Sequence, residues 1–139
     1  MQRLVEKTLL IDDSDIDLFI QRRFLEVYNF SNDLQLFKSA EEALKWLETI
    51  DLSDVPEVIF LDLNMPEFDG FTFLRQFKEL PVPVQRKAKI VVLTSSNSSK
   101  DREQAFTFSN VIQFITKPLK QSDLDELKTL IAKHQPDGE

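Results

Sequence analysis

The sequence of 139 residues carries 17 basic and 24 acidic side chains, one His and no Cys, for a formal net charge of -7. A chain of this length suits one domain and buries roughly two thirds of its unfolded surface, so it folds without a disulfide or a structural metal. The missing thiols exclude Cys-based zinc sites, iron-sulfur clusters and cysteine nucleophiles, and the acidic balance opposes nucleic acid, whose phosphates repel such a surface.

In chain order, Met1 to Lys7 has no apolar core of signal-peptide length and includes an acid. No apolar run nears the roughly 20 residues of a membrane span, so a soluble, cytoplasmic protein is expected. The first predicted strand, Thr8 to Ile11, ends in Asp12-Asp13. A helix from about Asp15 to Tyr28 follows, with Ile16, Phe19, Ile20, Phe24 and Val27 on one side. Asp15 and Asp17 read as ordinary acids of a helix start, which the macrodipole favours, and Arg22-Arg23 as exposed charges. Strand two, Leu34 to Phe37, leads to Ser39, whose spacing to Glu42 is that of a capping box before Ala43, Leu44 and Leu47.

Strand three, Val58 to Leu61, ends in Asp62, and the loop Leu63-Asn64-Met65-Pro66 follows it. A third helix starts after Asp69-Gly70. Arg86, Lys87 and Lys89 then fall in a stretch after Pro81 and Pro83 that reads as a solvated loop. Strand four, Ile90 to Thr94, ends in Thr94-Ser95-Ser96, and a fourth helix spans about Ser99 to Phe108. Strand five, Val111 to Ile115, ends in Thr116-Lys117-Pro118. The last helix shows a capping spacing from Ser122 to Asp125 and a stripe of Leu124, Leu127, Leu130 and Ile131. It ends near His134, a cation suited to a helix C-terminus. The twelve Phe residues and Trp46 read as core packing, apart from an exposed few near the fourth and fifth predicted helices that could form a docking surface. The remaining tail is too short for another domain, so one domain over 1–139, with its core at about 7–134 and no output domain, is expected.

Five β-α units in succession predict an α/β fold, a doubly wound five-stranded parallel sheet with helices on both faces. Three of the strands are nearly continuous apolar runs, as expected where both faces are covered. Ligands of such sheets bind beyond the carboxyl ends of the strands. Strands one, three, four and five deliver Asp12, Asp13, Asp62, Thr94 and Lys117 to that edge. Taken singly, Thr94 is an ordinary strand-end hydroxyl and Lys117 a snorkelling lysine; the shared edge gives them a common purpose.

A pair of carboxylates at 4 Å costs about 4 kcal/mol at an effective dielectric of 20, so three of them require protons or a cation. Hard oxygens with no His or Cys nearby favour Mg²⁺, and Lys117 brings the formal sum to about zero. A carboxylate among such cations can accept a phosphoryl group as a mixed anhydride. Asp62 is the best candidate acceptor, and Asp12 and Asp13 the natural holders of the metal and its water.

Four motifs, Leu9-Leu10-Ile11-Asp12-Asp13, Phe60-Leu61-Asp62-Leu63-Asn64-Met65-Pro66 with Asp69-Gly70, Val91-Val92-Leu93-Thr94-Ser95 and Phe114-Ile115-Thr116-Lys117-Pro118, occur in one order and spacing. Together they resemble the receiver domain of two-component response regulators from about Lys7 to His134. The resemblance implies a flavodoxin-like sheet of strand order 2-1-3-4-5 and a protein that catalyses only its own phosphorylation and dephosphorylation. It implies that Asp62 is phosphorylated by a histidine kinase or histidine phosphotransfer protein. Asp13, Asp62 and the backbone carbonyl of Asn64 would bind Mg²⁺, with Asp12 acting through a water. Thr94 would swing to the phosphoryl group, Lys117 would contact it, and Phe114 would be the aromatic whose rotamer follows Thr94.

The same resemblance implies a cis Lys117-Pro118 peptide and a signalling surface on the fourth predicted helix, strand five and the last helix, available to a target or to a second copy in a homodimer. Asn64 and Ser96 flank the path of the hydrolytic water in relatives. Many relatives place a Gly-Ala pair before strand five; here the chain reads Phe108-Ser109-Asn110-Val111, and Asn110 is expected to take the left-handed conformation of that Gly. Two rivals stand beside this reading. A Mg²⁺-dependent phosphatase with an aspartyl nucleophile generally has a second acid two residues on, where this chain has Asn64. An unphosphorylated pseudo-receiver usually lacks an acid or the Lys of the site, and none is lost here.

Overall fold

The computed structural model describes residues 4–66 and 68–134. The first three residues and the tail 135–139, on which the expectations of no leader and no second domain partly rest, lie outside the described residues. The elements are β1 (Val5–Ile11), α1 (Asp15–Val27), β2 (Ser31–Phe37), α2 (Ala40–Thr49), a 3₁₀ turn (Leu52–Asp54), β3 (Val58–Leu61), α3 (Gly70–Phe77), α4 (Val82–Lys87), β4 (Lys89–Thr94), α5 (Ser99–Ala105), β5 (Val111–Thr116) and α6 (Gln121–Lys133). The five strands are all parallel, in the order β2-β1-β3-β4-β5.

Side chains alternate across the central strands and so divide the core in two. Leu9, Ile11, Ile59 and Leu61 pack with Leu44 and Leu47 of α2, Phe73 and Phe77 of α3 and Ala105 of α5. Leu10, Val58 and Phe60 face the other way, against Leu18 and Leu25 of α1 and Leu124 and Leu127 of α6. Each fully buried Leu or Phe contributes roughly 1.5–3 kcal/mol, and burial on both faces explains why β3 is apolar at every position.

Four local expectations need correction. Of the five residues grouped on α1, Ile16, Phe19, Ile20 and Val27 lie exposed, and only Phe24 packs partly against the core. The helix buries Leu18, Gln21 and Leu25 instead. Its N-cap, Ser14, accepts a hydrogen bond from the Asp17 N–H, and this start just beyond β1 sets which face meets the sheet. Two stripes of helical period were present, and the more apolar one faces outward.

The stretch after Pro81 is helix α4, not loop. Proline near a helix start loses no intrahelical bond, and Pro83 sits there. Lys89 is the first residue of β4. Asn110 does not adopt a left-handed conformation; among the described residues Asn29 is the non-glycine residue with positive φ. Asn110 instead uses its side-chain amide to donate to the carbonyls of Gln85 (2.6 Å) and Ala88 (2.9 Å), tying the start of β5 to the end of α4. At α6 the cap is Lys120 rather than Ser122: the Lys120 N–H donates to Asp123 Oδ2 at 2.9 Å. The Lys117-Pro118 peptide is cis, and His134 stands at the C-cap of α6 with Nδ1 2.8 Å from the Leu130 carbonyl.

Candidate phosphoacceptor and metal site

The last rungs of the sheet carry the polar residues to one edge. Ile11 pairs with Leu61, and Leu61 with Val92, so Asp12 and Asp62 leave adjacent strands at the same level. The Asp12 N–H donates to the Phe37 carbonyl (3.1 Å), the Asp62 N–H to the Ile11 carbonyl (3.1 Å) and the Lys117 N–H to the Thr94 carbonyl (2.8 Å). The backbones of Asp12, Asp62 and Lys117 are therefore fixed by the neighbouring strands before any side-chain contact is made.

Asp12, Asp13 and Asp62 each present a carboxylate oxygen within 4.8 Å of the others. Asp12 and Asp62 are buried and Asp13 is exposed, so the cluster opens to solvent on one side. Asp12 accepts from the Ser14 N–H at Oδ1 (3.0 Å) and from Gln21 Nε2 (3.1 Å) and Lys117 Nζ (2.7 Å) at Oδ2. Asp62 accepts from the Asn64 N–H at Oδ1 (3.1 Å), while its Oδ2 lies 3.4 Å from Lys117 Nζ. Lys117 also donates to Asp17 Oδ2 at 2.7 Å. Thr94 is fully buried, and its hydroxyl accepts from Asn64 Nδ2 (3.0 Å) and from the Ser96 N–H (3.3 Å). Ser96 in turn donates to Asp101 Oδ2 at 2.8 Å.

Charge sets the chemistry of the pocket. Burial is the largest influence on Asp62 and pushes its carboxyl above the ordinary range, with Asp12 adding to the rise; the Asn64 N–H, Lys117 and Thr94 act against it. For Lys117, burial would lower the value. Hydrogen bonds to Asp12 and Asp17 and the charges of Asp62 and Asp12 outweigh it, so the ammonium is held above the usual lysine range and stays protonated. The three oxygens at the open side are hard donors, with neither His nor Cys in the cluster. That donor set suits Mg²⁺, which prefers carboxylate and water oxygens.

The remaining predicted residues lie close by. Phe114 is buried on β5, and the Arg102 guanidinium from α5 sits 5.9 Å from its ring centroid and 5.2 Å from that of Phe106. Gly70 opens α3 against the loop that follows Asp62, and its N–H donates to the Leu63 carbonyl at 3.1 Å. The structure thus brings Asp12, Asp13, Asp62, Asn64, Thr94 and Lys117 together. Sequence reasoning missed two members. Asp17, read as a helix-start acid, binds Lys117, and Gln21, buried in α1, binds Asp12. The signal was the four-residue spacing of Asp17 and Gln21, which places two polar side chains on one face of α1.

Comparison with known proteins points the same way. The family model for the response regulator receiver domain matches residues 8–129. A response regulator receiver protein from Dyadobacter fermentans is 30% identical, with a TM-score of 0.81 over 93% of this chain and 97% of its own. A two component response regulator from Cytophaga hutchinsonii is 26% identical, with a TM-score of 0.86 over 95% and 99%. The hybrid signal transduction histidine kinase L of Dictyostelium discoideum is 28% identical over 136 residues, which are 98% of this chain but 8% of that protein. Among the described residues no helix is long and apolar enough to cross a membrane.

Proposed function

The chain belongs to the response regulator receiver domain family, a family of phosphoacceptor signalling modules, and on that premise we propose that Asp62 is the phosphoacceptor and that its modification switches a protein-binding surface. The observation that carries this reading is the buried Asp62 carboxylate facing Lys117, with Asp12 and Asp13 beside it.

One Asp62 carboxylate oxygen attacks phosphorus. The P–N bond of a partner's phosphohistidine breaks as the new P–O bond forms, and the imidazole leaves with the electron pair and takes up a proton from solvent. The donor is a histidine kinase or histidine phosphotransfer protein, met in the cytoplasm. Burial leaves the Asp62 anion poorly solvated and so more reactive than a surface carboxylate. Asp13, Asp62 and the Asn64 carbonyl would hold Mg²⁺, with Asp12 in its outer sphere; the ion supplies positive charge to the oxygens of the transferring group. Lys117 supplies the second positive charge. Its hydrogen bond to buried Asp12 keeps it in place.

Thr94 gives up the Asn64 amide for the phosphoryl group, and the space this frees is taken by Phe114. That motion alters the face built by α5, β5 and α6, where a target or a second copy of the chain docks. Asn64 and Ser96, both hydrogen-bonded to the Thr94 hydroxyl, set the lifetime of the modified state.

The test is incubation with phosphoramidate and Mg²⁺, followed by intact-mass analysis. Wild-type protein is expected to gain one phosphoryl group that alkali removes, and Asp62→Asn is expected to gain none. Labelling that survives Asp62→Asn overturns the assignment. Sustained phosphate release from phosphomonoesters would instead favour the phosphatase, yet the residue two positions after Asp62 is an amide engaged with Thr94 rather than an acid.

A further inference from the structure

We infer that Asp17 is a positioning residue that competes with the Asp62 phosphoryl group for Lys117 and thereby restrains phosphorylation; the inference rests on Asp62 being the acceptor. An ammonium has three N–H donors. Lys117 directs them at three carboxylates, with Nζ 2.7 Å from Asp12, 2.7 Å from Asp17 and 3.4 Å from Asp62. The acceptor is thus the worst served of the three.

The two short bonds differ in what they cost to break. Asp12 is 1% exposed, and a buried carboxylate stripped of its cation is strongly unfavourable. The Asp17 side chain is 37% exposed, so water replaces Lys117 there at small cost. When phosphoryl oxygens arrive on Asp62, Asp17 is the partner that yields. Until then it draws the ammonium toward solvent and adds a fourth carboxylate to a pocket that must accept further negative charge. Its position is set by the helix start: Ser14 Oγ accepts from the Asp17 N–H and so fixes the turn of α1 whose Asp17 carboxylate meets Lys117.

Asp15 provides the comparison. It lies in the same turn and carries the same charge, but it pairs with Lys38 at 3.0 Å and is 76% exposed. Asp17→Asn keeps the shape and removes the charge that competes. Phosphoramidate labelling of Asp62 is expected to accelerate about two- to fivefold, the size of one half-exposed ion pair, and loss of the label to slow. Asp17→Glu is expected to return the rate toward wild type, and Asp15→Asn to leave it unchanged. The Lys117 Nζ resonance, followed by ¹⁵N NMR in the unmodified protein, is expected to move in Asp17→Asn and to stay in place in Asp15→Asn.

An unaltered or slower rate in Asp17→Asn, or an equal acceleration in Asp15→Asn, overturns the inference; the latter would reduce the effect to bulk charge. A stationary Lys117 resonance in Asp17→Asn overturns it as well. Failure of wild-type protein to label at all strikes the assignment of Asp62 itself, and the role of Asp17 falls with it.

Discussion

Asp62 sits in a conflict between burial, which favours its neutral form, and the Asn64 N–H, Lys117 and Thr94, which favour its charge. Burial prevails, so the folded-state pKa lies above the unfolded value. Folded protein then holds this proton more tightly than unfolded chain. The group carries no penalty below the ordinary carboxylate range and a growing one as pH rises through the folded value. Asp62→Asn removes that penalty while Lys117 keeps Asp12 and Asp17. In metal-free buffer at about pH 7 the variant is expected to be more stable than wild type. Thermal denaturation would register this as a higher Tm. The advantage should shrink as the pH is lowered toward about 4; an equal or lower Tm at neutral pH would contradict the account. Asp12, Asp13, Asp62, Thr94 and Lys117 were legible from sequence because each ends an apolar run. Asp17 and Gln21 were not, since their role depends on which face of α1 turns inward.

At the level of elements, the site leans on the start of α3. A Cβ added to Gly70 would lie 2.7 Å from the Asp62 carbonyl oxygen and 2.7 Å from Leu63 Cα, and backbone atoms cannot give way as a flexible side chain does. Gly70→Ala is therefore expected to destabilise by about 1–3 kcal/mol and to displace the loop that carries Asp62 and Asn64. Denaturant melts together with phosphoramidate labelling would check both effects. Unchanged stability with unchanged labelling would show that the contact is relieved elsewhere. Strand β3 was readable to the residue, because a run buried on both faces is apolar throughout. Helix α4 escaped sequence reading because two prolines look like loop punctuation until one of them is seen to occupy a helix start. The orientation of α1 escaped it for a different reason. Ile16, Phe19, Ile20 and Val27 make the more apolar stripe, yet the short connection from β1 turns Leu18, Gln21 and Leu25 to the sheet.

For the molecule as a whole, the acids from the ends of β1 and β3 meet only once the sheet has formed. An ion that needs both segments binds folded protein and not the unfolded chain, so Mg²⁺ should raise the stability in a concentration-dependent way. At a free concentration of about one hundred times Kd the gain is about 2.7 kcal/mol. Thermal melts across a Mg²⁺ titration are expected to show this for wild type and a much smaller rise for Asp13→Asn; a Tm indifferent to Mg²⁺ would argue against the metal site. Sequence alone determined the alternation of strands and helices and the carboxylates, hydroxyl and ammonium at the strand ends, because two-face burial and strand termination are local patterns. The resemblance of its motifs supplied the strand order. Tertiary structure decided how one ammonium is shared among Asp12, Asp17 and Asp62, which stripe of α1 faces inward, and that Asn110 ties β5 to α4. Those outcomes depend on how distant segments approach one another, and distance across the fold has no counterpart in spacing along the chain.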